Sequence, residues 1–286
     1  MNTMTISATR SSVVAGSKTK GILAYLLITF GLAWLAWIPL WLSGMPQSSG
    51  IFSVIMMIGV SAPALGTLVV RQWVTREGFA DAGLRPNLRR AWGYYLFAWL
   101  LPLLVFAALS TAMLFGLSTQ KDVSREIVPA LLSGLAMTPV LWLEEFGWRS
   151  YLQMRLFGGR PLLAALATGA IWGVWHYPMV LTGYLPNHNG IAGLVFFPAY
   201  TMLFSILLGW LRIRTGSIWT VSLAHASHNM VLEAIAVAVF GTMISNGDLF
   251  LDPRGLVALV PLCGLCAWIV LGGRFGSGAA APAQAG

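Results

Sequence analysis

The chain has 286 residues, of which 57% are hydrophobic and only 9% charged, whereas an ordinary soluble domain carries about 25% charged residues. That is the composition of a membrane protein and excludes an ordinary soluble domain. The net charge of +8 does not mark a nucleic-acid partner, because the lysines and arginines stand in short clusters between apolar runs instead of on one basic domain.

Residues 1–20 are polar, basic and rich in Ser and Thr. They precede an apolar run far longer than the core of a signal peptide, so they read as a retained cytoplasmic tail. A membrane-crossing helix needs about 20 apolar residues, and eight stretches qualify: 21–43, 51–70, 91–117, 127–157, 161–181, 191–211, 216–241 and 255–272. The fourth is apolar only in its first half. It is predicted to stay helical because good helix formers continue until Gly158 and Gly159. Segment 71–90 reads either as an interfacial helix with a turn or as an ordinary loop.

With eight spans, Arg10, Lys18, Lys20, the arginines of 71–90, Arg155, Arg160, Arg212, Arg214 and Arg274 all fall on one side, and Lys121, Arg125 and Arg254 on the other. The positive-inside rule then makes both termini cytoplasmic. The expectation is one all-α polytopic membrane bundle over residues 21–272, followed by a disordered tail, 273–286, that ends GSGAAAPAQAG. Cys263 and Cys266 form a CxxC inside an apolar stretch without charged or histidine neighbours, and they read as small apolar residues.

Only nine acidic residues occur in the chain, yet two of them, Glu144 and Glu145, are adjacent within the apolar run WLEEFGWRSYL. Ionisable groups are costly in a membrane, so this placement points to function. Further interior polar groups are Arg149, His176, His225, His228, Asn229 and Glu233. At roughly 1.5 Å of rise per residue, Glu144 lies about 21 Å along its helix from Gly158, His176 about 22 Å from Pro161, and Asn229 about 20 Å from Gly216. Three helices therefore deliver polar groups to a similar depth.

Adjacent helical residues point about 100° apart, so the two glutamates take different roles. Arg149 follows Glu145 by four residues, the spacing and order of a helical ion pair, which makes Glu145 a strut and leaves Glu144 for the cavity. His225 and Asn229 share a face; His228 lies near it, so either histidine can point inward. The plainer alternatives are helix-to-helix glue for the Glu–Arg pair, a hydrogen-bonding helix contact for His176, packing for Glu233 and a surface loop for His188. Convergence of an acid, imidazoles and an amide from three helices weighs against inert glue for the whole set.

Such a set suits hydrolysis by activated water. A carboxylate in low dielectric accepts protons near neutrality. Imidazole orients the water, and an amide with a second imidazole donates to the oxyanion. No His is followed by Glu, so HExxH is absent. GxSG is also missing, and SNGD at Ser245–Asp248 falls one glycine short of GxGD.

EEFGWR at 144–149, WGVWH at 172–176 and HASHN at 225–229 resemble, in order, the EExxxR, FxxxH and HxxxN motifs of the CAAX-processing and bacteriocin-processing (CPBP) intramembrane endopeptidases, relatives of the Ras-converting CAAX prenyl endopeptidase. Trp172 stands where that pattern has Phe. The resemblance implies that Glu144 and His176 activate water, that His225 and Asn229 form the oxyanion hole, and that Glu145 and Arg149 support the first motif. It implies a membrane-associated protein or peptide substrate, and the compact, Ala/Gly-rich chain reads as a multi-pass protein of a bacterial inner membrane. A zinc version would take Glu144, His176 and His225 as ligands. Asn229 fits an oxyanion donor better than a zinc ligand, which favours no cofactor. Two other readings are a non-catalytic binding or bacteriocin-immunity protein using the same cavity and a transporter, the latter weakened by the absence of repeated halves.

Overall fold

A computed structural model describes residues 3–105, 107–108, 123–185, 191–240 and 256–275. The described residues form helices and connecting loops, with no strand among them. The helices are α1 (Thr3–Ser43), α2 (Gly50–Val69), α3 (Leu88–Leu100), α4 (Val123–Gly147), α5 (Pro161–Trp175), α6 (Tyr177–Leu181), α7 (Ile191–Thr215), α8 (Ile218–Phe240) and α9 (Leu256–Leu271). Single π turns extend α2 over Val70–Val74 and α4 over Trp148–Leu152. His188, the SNGD segment and the run GSGAAAPAQAG lie outside the described residues.

Four helical segments among the described residues are long and apolar enough to cross a membrane: Lys18–Ser43, Gly50–Val74, Arg125–Leu152 and Ala192–Thr215. Shorter apolar helices cover Pro161–Trp175 and Leu259–Leu271. Large apolar side chains stand exposed on the outside, Leu35 at 78% and Leu271 at 86%. Buried Arg71, Glu145 and Arg149 are wholly enclosed. Apolar side chains on the outside with a few charges enclosed within are what a hydrocarbon solvent selects, and the chain is an integral membrane protein.

Small residues decide which helices touch. A Cβ on Gly59 would stand 2.1 Å from the Trp37 indole, so α2 lies directly on α1. A Cβ on Gly169 or Gly173 would meet the α7 backbone at Met202 (2.6 Å) or Pro198 (2.5 Å). This is a GxxxG contact of the kind that lets membrane helices approach without a hydrophobic driving force. Thr201 and Ser205 hydroxyls then donate to the carbonyls of Gly169 (2.9 Å) and Ala165 (2.7 Å). The most extensive packing joins α4 to α8.

Three predicted helices differ in detail. The run 91–117 is interrupted after Leu100 by a turn at Leu101–Pro102, since proline lacks the amide proton that would continue the ladder. The run 127–157 does not continue as an α-helix to Leu156 and Phe157; it leaves α geometry at Trp148 and ends its π turn at Leu152. The run 161–181 breaks at His176, because Pro178 restrains the residue before it and removes a donor.

Segment 71–90 contains no interfacial helix over 75–87. It is a loop held by buried arginines. Arg71 Nη1 donates to the Gly78 carbonyl (2.6 Å) and to Asp81 Oδ1 (2.7 Å). Arg155 Nη2 reaches Glu77 Oε1 (2.5 Å) and Asp81 Oδ2 (3.2 Å), and Arg212 Nη2 donates to the Asp81 carbonyl (2.9 Å). Ser150 Oγ donates to the Ala82 carbonyl at 2.8 Å, so the loop is tied directly to the π turn that follows the two glutamates.

Candidate active site

Glu144 and Glu145 occupy the last α turn of α4, immediately before the π turn Trp148–Leu152. The Gln153 amide donates to the Trp148 carbonyl at 2.9 Å, a five-residue step, and such insertions recur at functional sites. Every residue of this turn is buried. Gly147 permits the arrangement: a Cβ there would lie 2.4 Å from Pro63 Cβ and 2.5 Å from the Tyr25 hydroxyl. The EEFGWR segment can thus sit against α2 and α1.

The adjacent glutamates diverge as helical geometry requires. Glu145 is fully buried, and its Oε1 accepts from Arg149 Nη1 at 2.9 Å. The same oxygen lies 2.8 Å from His225 Nδ1 on α8, a link that sequence spacing within one helix could not show. Since a carboxylate only accepts, the partner assigns the proton to Nδ1. Glu144 points elsewhere. It is 5% exposed, and its Oε2 accepts from Trp172 Nε1 at 2.9 Å.

His176 caps α5 with φ −79° and ψ −4°, the sparsely populated bridge conformation in which many active-site residues sit. Its Nδ1 lies 2.9 Å from the Trp172 carbonyl oxygen, which likewise places the proton on Nδ1. Nε2 then presents a lone pair. Glu144 and His176 are both attached to Trp172, one through its indole and one through its backbone.

Trp172 is the hub of the set. Its ring lies 5.0 Å from that of His225 at 86° and 5.5 Å from that of His176, and the Arg149 guanidinium stands 4.3 Å over it. Asn229 lies one turn beyond His225 and is half-buried. His228 bonds the Tyr200 hydroxyl and stacks on Phe204 at 4.3 Å. Of the two neighbouring histidines, His225 is therefore the one joined to the glutamates. Glu233, a further turn along α8, is half-buried.

No three His, Cys, Asp or Glu residues among the described residues are gathered closely enough to hold a metal ion. An apolar groove of about 790 Å³ opens between α1 and α5, lined in part by Phe30, Trp34, Ile171 and Val174. It contains none of the ionisable cluster. Tethering by Trp172, with its ring nitrogen on one polar residue and its carbonyl on another, is the feature sequence reasoning missed. The available signal was an indole at the one aromatic position of WGVWH where the resembled pattern has Phe.

Residues 125–231 match a family model described as type II CAAX prenyl endopeptidase Rce1-like. The matched segment begins at the start of α4 and ends in α8, so it includes Glu144, Glu145, Arg149, Trp172, His176, His225 and Asn229. Comparison with curated proteins found no match.

Proposed function

On the match of residues 125–231 to the model of a CAAX prenyl endopeptidase family, we propose that this chain is an intramembrane endopeptidase in which Glu144 and His176 activate the attacking water. The observation that carries this reading is the pairing of both residues to Trp172, at 2.9 Å in each case. The other carboxylate oxygen of Glu144 and Nε2 of His176 are assigned to the water. His176 Nε2 and Glu144 are the proton acceptors. The hydroxide equivalent attacks the carbonyl carbon of the scissile peptide, and charge develops on the carbonyl oxygen.

His225 is assigned to that oxygen. With Nδ1 engaged by Glu145, its protonated form donates from Nε2, and the Asn229 carboxamide supplies the second donor. Collapse of the tetrahedral intermediate breaks the C–N bond, and the proton taken from water passes to the leaving nitrogen. No covalent nucleophile is required. The substrate is a peptide bond of a membrane-associated protein or peptide.

The test is a comparison of membrane-protein N-termini between cells carrying the wild type and cells carrying Glu144→Ala or His176→Ala. New termini present with the wild type and lost with both variants are expected, with the variants still folded. Full processing by either variant sinks the assignment. Activity is expected to persist after exhaustive chelation; loss on chelation with restoration by zinc would replace this reading with the metal one.

A further inference from the structure

We propose that Trp172 is a positioning residue that fixes both members of the water-activating pair, through its indole N–H on Glu144 and its backbone carbonyl on His176. The inference rests on the proteolytic reading above. It adds a residue that makes no contact with the reacting atoms and acts through two that do.

Burial supports it first. Trp172 is 3% exposed and Glu144 5%, so the 2.9 Å bond between them competes with little water and is of the stronger, charge-assisted kind. Satisfaction of an indole N–H is not automatic in this protein. Those of Trp37, Trp142, Trp148, Trp175 and Trp210 are buried without a partner, yet the one on Trp172 is directed at the carboxylate.

Rigidity supports it second. The GxxxG contact of Gly169 and Gly173 with α7 fixes the height and rotation of α5. Arg149 at 4.3 Å, the edge of His225 at 5.0 Å and Phe204 at 6.2 Å then enclose the indole. A donor held on several sides orients the acceptor it binds. With Oε2 held, the other Glu144 oxygen is the one left for water. With Nδ1 of His176 held by the carbonyl of the same residue, Nε2 is the acceptor nitrogen of the ring. One residue therefore sets the relative placement of both bases.

Trp172→Phe separates the two functions. It keeps an aromatic ring beside Arg149 and His225 and leaves the backbone carbonyl for His176, but it deletes the N–H. On a membrane peptide identified by the comparison of N-termini, kcat is expected to fall on the order of ten-fold with KM little changed. A packing role alone would lower the amount of folded protein and leave kcat per folded molecule intact.

The second measurement needs no substrate. In protein labelled with ¹⁵N-tryptophan, the indole cross-peak absent from Trp172→Phe belongs to Trp172, and Glu144→Ala is expected to move it while that of exposed Trp92 stays. Trp172→Tyr serves for assignment if Trp172→Phe does not fold. A peak unmoved by Glu144→Ala, or a Trp172→Phe enzyme with wild-type kcat, overturns the proposal. Identical N-termini with wild type and Glu144→Ala would instead overturn the proteolytic reading, and the peak would still report whether the indole holds the carboxylate.

Discussion

Oε1 of Glu145 serves two partners at once, Nη1 of Arg149 at 2.9 Å along its own helix and Nδ1 of His225 at 2.8 Å across to α8. Removing one member leaves charge enclosed without compensation. Arg149→Ala is expected to destabilise the fold by about 3–5 kcal/mol, read as a fall in the melting temperature in detergent. The double variant Glu145→Leu with Arg149→Met should recover much of that loss, because it removes both charges. A melting temperature unchanged in Arg149→Ala would show that Glu145 is not held as a buried anion.

The same bond gives His225 a fixed orientation, and Asn229 follows it by one turn of α8. If both donate to the oxyanion, Asn229→Ala should reduce kcat by about 10²–10³-fold with a small effect on KM. Asn229→Asp should fare no better, since an ionised carboxylate accepts hydrogen bonds and repels the developing charge. Steady-state kinetics of the two purified variants check this; a fall in affinity with kcat preserved contradicts the assigned role.

Gly147 is the point where α4 meets α2. Its missing side chain is required because a Cβ would stand 2.4 Å from Pro63 Cβ and 2.8 Å from the Pro63 carbonyl oxygen. Gly147→Val must therefore part α4 from α2 and displace the turn that holds Glu144 and Glu145. Loss of activity and lowered thermal stability together are expected, by at least the 1–3 kcal/mol typical of overpacking. A folded, fully active Gly147→Val protein would contradict this close approach.

Acid should release the 75–87 loop. Burial alone pushes the Asp81 carboxyl up, but the hydrogen bond and charge of Arg71, with the charge of Arg155, outweigh it and hold the group below its ordinary value of 3.8. A depressed folded value means that the anchoring is complete above that ordinary value and lost as pH falls through the lower one. Hydrogen exchange at residues 78–83 should accelerate over that range, and Asp81→Asn should abolish the dependence. The Asp81 side chain is 56% exposed, so salt should weaken the same anchoring. Exchange that is flat through the acid range contradicts the clamp.

Much of this protein was legible in one dimension. Composition decides for lipid, because so few charged residues cannot cover a soluble surface. Four-residue spacing decides the Glu145–Arg149 pair, because a helix places those positions side by side. The scarcity of acids marks Glu144 and Glu145 as functional candidates, since intramembrane charge is costly.

Tertiary structure alone decided the rest. Whether His225 or His228 joins the glutamates depends on which side of α8 faces α4, and that follows from packing between helices about 80 positions apart in the chain. The π turn after Gly147 and the break at His176 change side-chain direction locally, and no periodicity announces them. Trp172 reads in sequence as one more aromatic in an apolar helix. Its role as tether arises only when GxxxG packing on α7 holds the indole against Glu144, because a hydrogen bond between helices is a property of their mutual placement and not of either strand of letters.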